Sequence, residues 1–376
     1  MDQIISSSGV ETGTGGTHSL FNQLASGKHE QVIFCAEPAS GLRAVIAVHD
    51  TTLGPALGGV RMWPYRTEEE AVRDVLRLSR GMTYKAAVSG LNFGGGKAVI
   101  IGDSATRTNE PLFRAFGRFV DGLGGRYLTA KDVGVNMQIM EWIFSETRHA
   151  TCIPEALGGS GDPSPVTAHG VHVGMKACAR KAYGSDSLNG RRIAIQGAGH
   201  VAASLAGKLS SEGANLFICD IDGEKAAEVA KRTGAEVIAP DAIYGIGADI
   251  FSPCALGGVI NDTTIGKFTC DIIAGGANNV LEDEARHGQM LLDRGIVYAP
   301  DYVINAGGII NISGELEGYN RERAVLKTSG IYDTILNILN TSEKEQIPTN
   351  AASDKLAEER IRRIGRVKSI YSSSSS

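Results

Sequence analysis

Lys85, Lys97 and Asp132 are the residues whose surroundings suit them to moving protons. Lys97 stands between the triple glycine Gly94-Gly95-Gly96 and the branched run Ala98-Val99-Ile100-Ile101, and an amphipathic segment leads directly to Lys85. An ammonium beside a buried strand must be paired or lose basicity, and two amines held close would each depress the other. Asp132 follows the strand-like run ending in Ala130 and Lys131 and precedes Val133-Gly134. An acid at a strand terminus beside a loop is a catalytic placement in open α/β sheets. Each residue also has a plainer explanation: Lys85 ends a helix, Lys97 is exposed at a strand edge, Asp132 is a helix cap.

A second chemistry is written in Gly197-Ala198-Gly199-His200-Val201-Ala202, which follows the apolar run Ile193–Ile195. The order reads as strand, glycine turn and helix start. Gly197 permits the tight turn, Gly199 lets backbone approach a pyrophosphate, and small Ala202 lets helix and strand pack closely. The helix start then offers unpaired N–H groups to phosphate. Leu216–Cys219 is a second apolar run, and it ends in Asp220, about twenty residues past the turn, where a carboxylate accepts ribose hydroxyls and repels a 2′-phosphate. The expected cofactor is therefore NAD and not NADP, with Ile221 beside it. Gly-x-Gly-x-x-Ala alone is a weak signal; the flanking strands, the helical run Val201–Leu209 and the acid make it specific.

The elements that must position these groups can be followed along the chain. Residues 1–17 are Ser-, Gly- and Thr-rich without apolar periodicity and are expected to be a disordered tail. Gln31–Cys35 and Leu42–Val48 read as strands, and His49–Gly59 as a glycine-rich loop that brings backbone close to something. Thr67 and Glu70 form a capping box for an amphipathic helix to about Thr83. Gly158–Pro163 reads as a hinge, and Ser164 as the cap of a helix reaching Tyr183. On that helix His169 and His172 share a face without acidic or thiol partners nearby, so no metal is expected. Three later strands end in small residues, at Cys254-Ala255, at Gly275–Asn279 and at Ala299–Gly308, and so build a crevice for a nicotinamide. Asn279 and Asn305 there either orient ligands or close turns. A last amphipathic helix, around Ala351 to Ile364, would pack back on the first domain.

At 376 residues the chain is long for one core, so two domains are expected. The fold class is α/β, with a Rossmann-like NAD-binding domain at 158–344 and an α/β substrate and oligomerisation domain, 18–157 plus about 345–371, across a cleft. A formal charge of −5 and the absence of a basic tract exclude a pull toward nucleic acid or anionic membrane. No segment has membrane-spanning length, and neither a signal peptide nor paired cysteine spacing is visible, which fits a cytoplasmic enzyme with reduced thiols.

Taken together, Gly54–Gly59, Gly81–Lys85, Gly94–Lys97, Thr129–Gly134, Pro163–Ala168, Gly275–Asn279 and Ala299–Gly308 resemble the NAD-dependent amino acid dehydrogenases that act on leucine, valine and phenylalanine. The resemblance runs from about His29 to Arg363. It implies that Lys85 holds the substrate carboxylate, that Lys97 is the low-pKa base activating water, and that Asp132 shuttles protons to and from the amine. The Cα hydride would pass to nicotinamide, and water would convert the resulting iminium to a 2-oxo acid and ammonia. Gly58 and Gly59 would line the substrate pocket with Leu57, Ala130, Asn305, Ile309 and Ile312. Thr167 and Asn279 would lie near the nicotinamide, with Cys254 and Ala255. Ala130 resembles the aliphatic type of the Thr-Ala-x-Asp motif, where aromatic enzymes carry glycine, and Leu57 replaces the lysine of the glutamate enzymes. Branched-chain L-amino acids are therefore the expected substrates, in a homo-oligomer of two to eight chains. His200 and Gly314 depart from the family pattern. Phenylalanine is the alternative substrate, and an NAD-binding regulatory or structural subunit without chemistry is the alternative of another class.

Overall fold

The computed structural model describes residues 19–367; the expected tail at 1–17 lies outside them. The first half is built on a five-stranded sheet of β1 (Gln31–Glu37), β2 (Leu42–Asp50), β3 (Ala56–Trp63), β4 (Gly94–Ile101) and β5 (Tyr127–Lys131), in the order β1-β2-β4-β3-β5. β1 and β2 are antiparallel, as are β2 and β4, whereas β3 runs parallel to both β4 and β5. The three strands that carry candidate site residues, β4, β3 and β5, are thus adjacent and point the same way.

Of the stretch His49–Gly59 expected to be a loop, residues 51–55 are one, but His49 and Asp50 end β2 and Ala56–Gly59 are the start of β3. Glycine inside a strand usually weakens it, and here close packing is the compensation. A Cβ on Gly58 would lie 1.7 Å from the Gly96 carbonyl oxygen, and one on Gly59 would lie 2.9 Å from the Asp132 Cβ. The strand tolerates nothing larger.

Helix Glu68–Val88 covers this sheet. Thr67 Oγ1 accepts from the Glu70 amide, whereas the Glu70 carboxylate takes the Arg66 N–H, so the box is shifted by one residue from its usual form. Ala71, Val75, Leu76, Thr83 and Ala87 are buried at helical spacing. The helix runs past Thr83, so Lys85 lies inside its last turn and does not end it.

The second half holds six parallel strands, β6 (Arg192–Gln196), β7 (Asn215–Cys219), β8 (Glu236–Val237), β9 (Ile250–Pro253), β10 (Ile272–Ile273) and β11 (Val297–Tyr298). Their order, β11-β10-β9-β6-β7-β8, is that of the doubly wound dinucleotide fold, and the order reverses between β6 and β9. Helix Ser164–Tyr183 packs on this half and closes at Gly184 in a left-handed conformation. Ser164 is its first residue and not its cap: the Asp162 carboxylate accepts both the Ser164 amide and its hydroxyl. His169 meets Ser329, and His172 pairs with Glu212 at 2.7 Å.

The chain then crosses back. Helix Thr349–Val367 lies against helix Glu68–Val88, with Glu358 accepting from the Tyr84 hydroxyl and Arg360 donating to the carbonyls of Ala87 and Leu91. It also holds the second half, through Asp354 on Tyr302 and Asn350 on the Glu284 carbonyl. All six cysteines are free thiols, five of them buried.

Candidate active site

A cleft of about 600 Å³ opens between the two halves, lined by Gly59, Arg61, Lys85, Lys97, Ala130 and Asp132 on one side and by Asn278, Asn279, Asp301, Gly308, Ile309 and Ile312 on the other. Lys97 leaves β4 with only 8% of its side chain exposed and meets Asp132, just past the end of β5, at 2.7 Å. Burial alone would raise the Asp132 carboxyl, but Lys97 and Arg61 outweigh it and hold the group at about 2. The missing side chain at Gly59 leaves the room Asp132 needs to approach.

Lys85 enters from helix Glu68–Val88, half-buried. Burial pushes its amine down to about 8, against the pull of Asp301 from the opposite wall, and Lys97 lowers it further. Its Nζ lies 3.5 Å from Asn278 Oδ1. Asn305 braces that contact: its amide nitrogen donates to Asn278 Oδ1 at 2.7 Å and to the Ala277 carbonyl at 3.1 Å. Asn305 is thus a buried support of the 276–278 loop and is absent from the cleft wall. Asn279 both lines the cleft and closes a turn, with φ of 52°. Ala130, Ile309 and Ile312 form the expected apolar wall. Leu57 and Gly58 do not: Leu57 is fully buried in the cluster behind that wall, and the Gly58 carbonyl accepts the Tyr127 hydroxyl at 2.6 Å. In-and-out alternation along β3 leaves only Gly59 and Arg61 facing the cleft.

The turn after β6 suits a dinucleotide. Gly197 has φ of 106°, and a Cβ there would lie 3.0 Å from the Cys254 carbonyl and the Ala255 Cβ, so these two residues close on the turn as β9 ends. Gly199 faces open space, with no atom within 4 Å of an added Cβ, and it begins helix His200–Ser211, which has no side-chain cap. Backbone N–H groups thus remain available at a cradle that only glycine leaves empty. Asp220 does more than the sequence suggested: one carboxylate oxygen accepts the Ala198 amide at 2.7 Å and the other the Asp222 amide at 2.8 Å, so it also braces the glycine turn. Ile221 is almost fully exposed beside it. Val201 packs near Gly276, whereas His200 points outward, 3.8 Å from Asp162. The Thr167 hydroxyl donates to the Pro163 carbonyl on the first turn of its helix, next to Gly308.

Four residues of this region escaped the sequence. Arg61 had a signal, since it stands two positions past Gly59 on a strand, on the same face. Asn278 and Asp301 sit inside motifs that were recognised, but only the fold shows which member faces Lys85. Glu315 accepts from the Cys152 and Ser160 amides, both at 3.0 Å, and from the Ser160 hydroxyl, and so pins the join between the halves. Burial raises its carboxyl. Gly314, before it, has ordinary helical dihedrals and stands where helix Gly307–Ser313 passes directly into the 3-10 turn Gly314–Glu317.

A glycine turn at the switch point of a parallel sheet, in one chain with a cleft that gathers two lysines and an acid, defines a two-domain dehydrogenase. The sequence profile of the Glu/Leu/Phe/Val dehydrogenase dimerisation domain matches residues 29–149, and that of Glutamate/Leucine/Phenylalanine/Valine dehydrogenase matches residues 218–361. The chain belongs to this family. It is 54% identical to leucine dehydrogenase of Thermoactinomyces intermedius over 94% of this chain and 96% of that one. Phenylalanine dehydrogenase of Caldalkalibacillus thermarum is 45% identical over 94% and 96%. The crystal structure of L-tryptophan dehydrogenase from Nostoc punctiforme superposes with a TM-score of 0.81 at 44% identity, covering 92% of this chain and 99% of that one.

Proposed function

We propose that the chain catalyses the reversible, NAD-dependent oxidative deamination of branched-chain L-amino acids, leucine foremost, to 2-oxo acids and ammonia. The observation that carries this is the 2.7 Å Lys97–Asp132 pair sharing one cleft with Lys85. Lys85 holds the substrate carboxylate, for which its position opposite Asn278 suits it. Asp132, ionised, takes a proton from the substrate ammonium and returns one to the leaving amine. Lys97 activates water at the former Cα–N carbon and exchanges its proton with Asp132. The Gly197–Val201 turn would hold NAD, which would supply the acceptor for the Cα hydride. Ala130, Ile309 and Ile312 exclude water and receive the aliphatic side chain.

Identity to leucine dehydrogenases of 51 to 54% supports leucine over phenylalanine, as does the Ala130 methyl on the cleft wall. Half-exposed Phe34 on edge strand β1 and Trp63 at the end of β3 offer surface for self-association. A substrate panel with NAD tests the reading: NADH should form fastest with L-leucine, L-valine or L-isoleucine. Inactivity with every aliphatic and aromatic amino acid, with NAD still bound, would leave a regulatory subunit instead.

A further inference from the structure

Arg61 leaves β3 on the same face as Gly59 and spans two carboxylates. Its Nε lies 3.1 Å from Asp132 Oδ2, the oxygen that Lys97 also meets, and its Nη1 lies 3.1 Å from Asp74 Oδ2. Asp74 is itself fixed from behind. The Tyr65 hydroxyl donates to Oδ2 at 2.6 Å, and Arg77 reaches Oδ1 at 3.1 Å. Arg61, Asp74 and Asp132 each expose less than a quarter of their side chains, so water screens this chain of charges poorly.

We infer that Arg61 is a positioning residue for the reaction: bridged to Asp74, it supplies Asp132 with a cation that remains whenever Lys97 gives up its proton. This rests on the proton-transfer roles proposed above for Lys97 and Asp132. A base that cycles through its neutral form cannot be the sole counter-ion of a largely buried carboxylate. During each interval without the ammonium, such a carboxylate would take up a proton or swing away. Guanidinium keeps its charge throughout, and its planar fork reaches two carboxylates at fixed angles, which a lysine cannot do. The ionisable groups around Asp132 are Lys97 from β4, Arg61 from β3, Lys85 and Asp74 from helix Glu68–Val88, and Tyr127 and Lys131 from β5. Among them Arg61 is the cation that does not titrate.

The test uses full-length Arg61→Met, Arg61→Lys and Asp74→Asn, with Asp132→Asn as reference. For each, kcat and KM for L-leucine are followed against pH, NADH binding by fluorescence, and folding by thermal melting. Arg61→Met should move the acid limb of kcat/KM, which belongs to the coupled Lys97–Asp132 pair, upward by about one pH unit and lower kcat at least about tenfold, with NADH affinity kept. Arg61→Lys should return the limb to its wild-type position and recover kcat only in part. Asp74→Asn removes the anion that competes for Arg61 and should move the limb the other way, to lower pH. That variant decides the matter if Arg61→Met does not fold. An unchanged limb in folded Arg61→Met, or in Asp74→Asn, overturns the inference whatever happens to kcat. If Asp132→Asn itself turns over like wild type, the proposed chemistry has failed, and Arg61 falls with it. If Asp132→Asn is inactive while the limb stays put in the other variants, only the role of Arg61 is lost.

Discussion

The charged cleft and the nucleotide turn are built on opposite principles. The wall on the first sheet is made of charges that are present: Lys97, Asp132, Arg61 and Asp74 compensate one another within about 3 Å. The turn on the second sheet is made of side chains that are absent, with Gly197 forced into a left-handed conformation and Gly199 facing empty space. A wall of charges is broken by taking atoms away, and an empty cradle by adding them. Substitutions at the two sites should therefore fail in different measurements.

The largest contrast is expected for Lys97→Ala, which should lower kcat by about 10² to 10⁴ while NADH binds as in wild type. Comparable loss of NADH affinity would join the two into one site. Gly199→Ala should do the reverse. Its methyl meets nothing in the protein, so stability should fall by only about 1 kcal/mol, the cost of alanine in place of glycine at a helix N-cap, while NADH affinity falls at least about tenfold. Retained affinity there would remove the cradle. Gly59→Ala sharpens the charged side: a methyl 2.9 Å from the Asp132 Cβ should lower kcat with little change in NADH binding.

A gentler probe is Lys85. Its folded amine is pushed down to about 8, so in the free enzyme it loses its proton as pH rises through that value. A bound carboxylate favours the charged form, and binding of a 2-oxo acid to the NADH complex should therefore take up protons near pH 8 and above. Calorimetry in buffers of different ionisation enthalpy would show this, and Lys85→Met should abolish it. The smallest effect is on stability in acid. Asp132 titrates at about 2 in the fold against 3.8 ordinarily, so the stability it contributes is present above about pH 4 and is lost as pH falls toward 2. Melting of Asp132→Asn should fall less steeply over that interval; equal slopes would mean that the carboxylate gains nothing from its cations.

Legibility followed the same division. The glycine turn, its strand and Asp220 could be read directly, because backbone requirements confine residue types locally. Lys85, Lys97 and Asp132 were visible as oddities, but their meeting depends on β4, β3 and β5 lying side by side, which no local pattern encodes. The glycines of β3 misled because a strand interior without side chains is composed like a loop; only the Gly96 carbonyl and Asp132 pressing on them give the reason. Leu57 fell on the wrong side because strand alternation cannot be applied to a segment taken for a loop. Arg61 was missed for the same cause. Asn305 was read as orienting ligand or closing a turn; its amide nitrogen holds the neighbouring loop, a long-range contact beyond sequence spacing, while its buried Oδ1 has no partner among the described residues.

The returning C-terminal helix has a mechanical consequence. The polypeptide passes between the halves twice, once through the segment that Glu315 pins and once through Thr349–Val367, whose residues grip Tyr84 and Ala87 on one side and Tyr302 and Glu284 on the other. Two points of attachment, each held by side-chain hydrogen bonds, tie the halves together more firmly than one connection would.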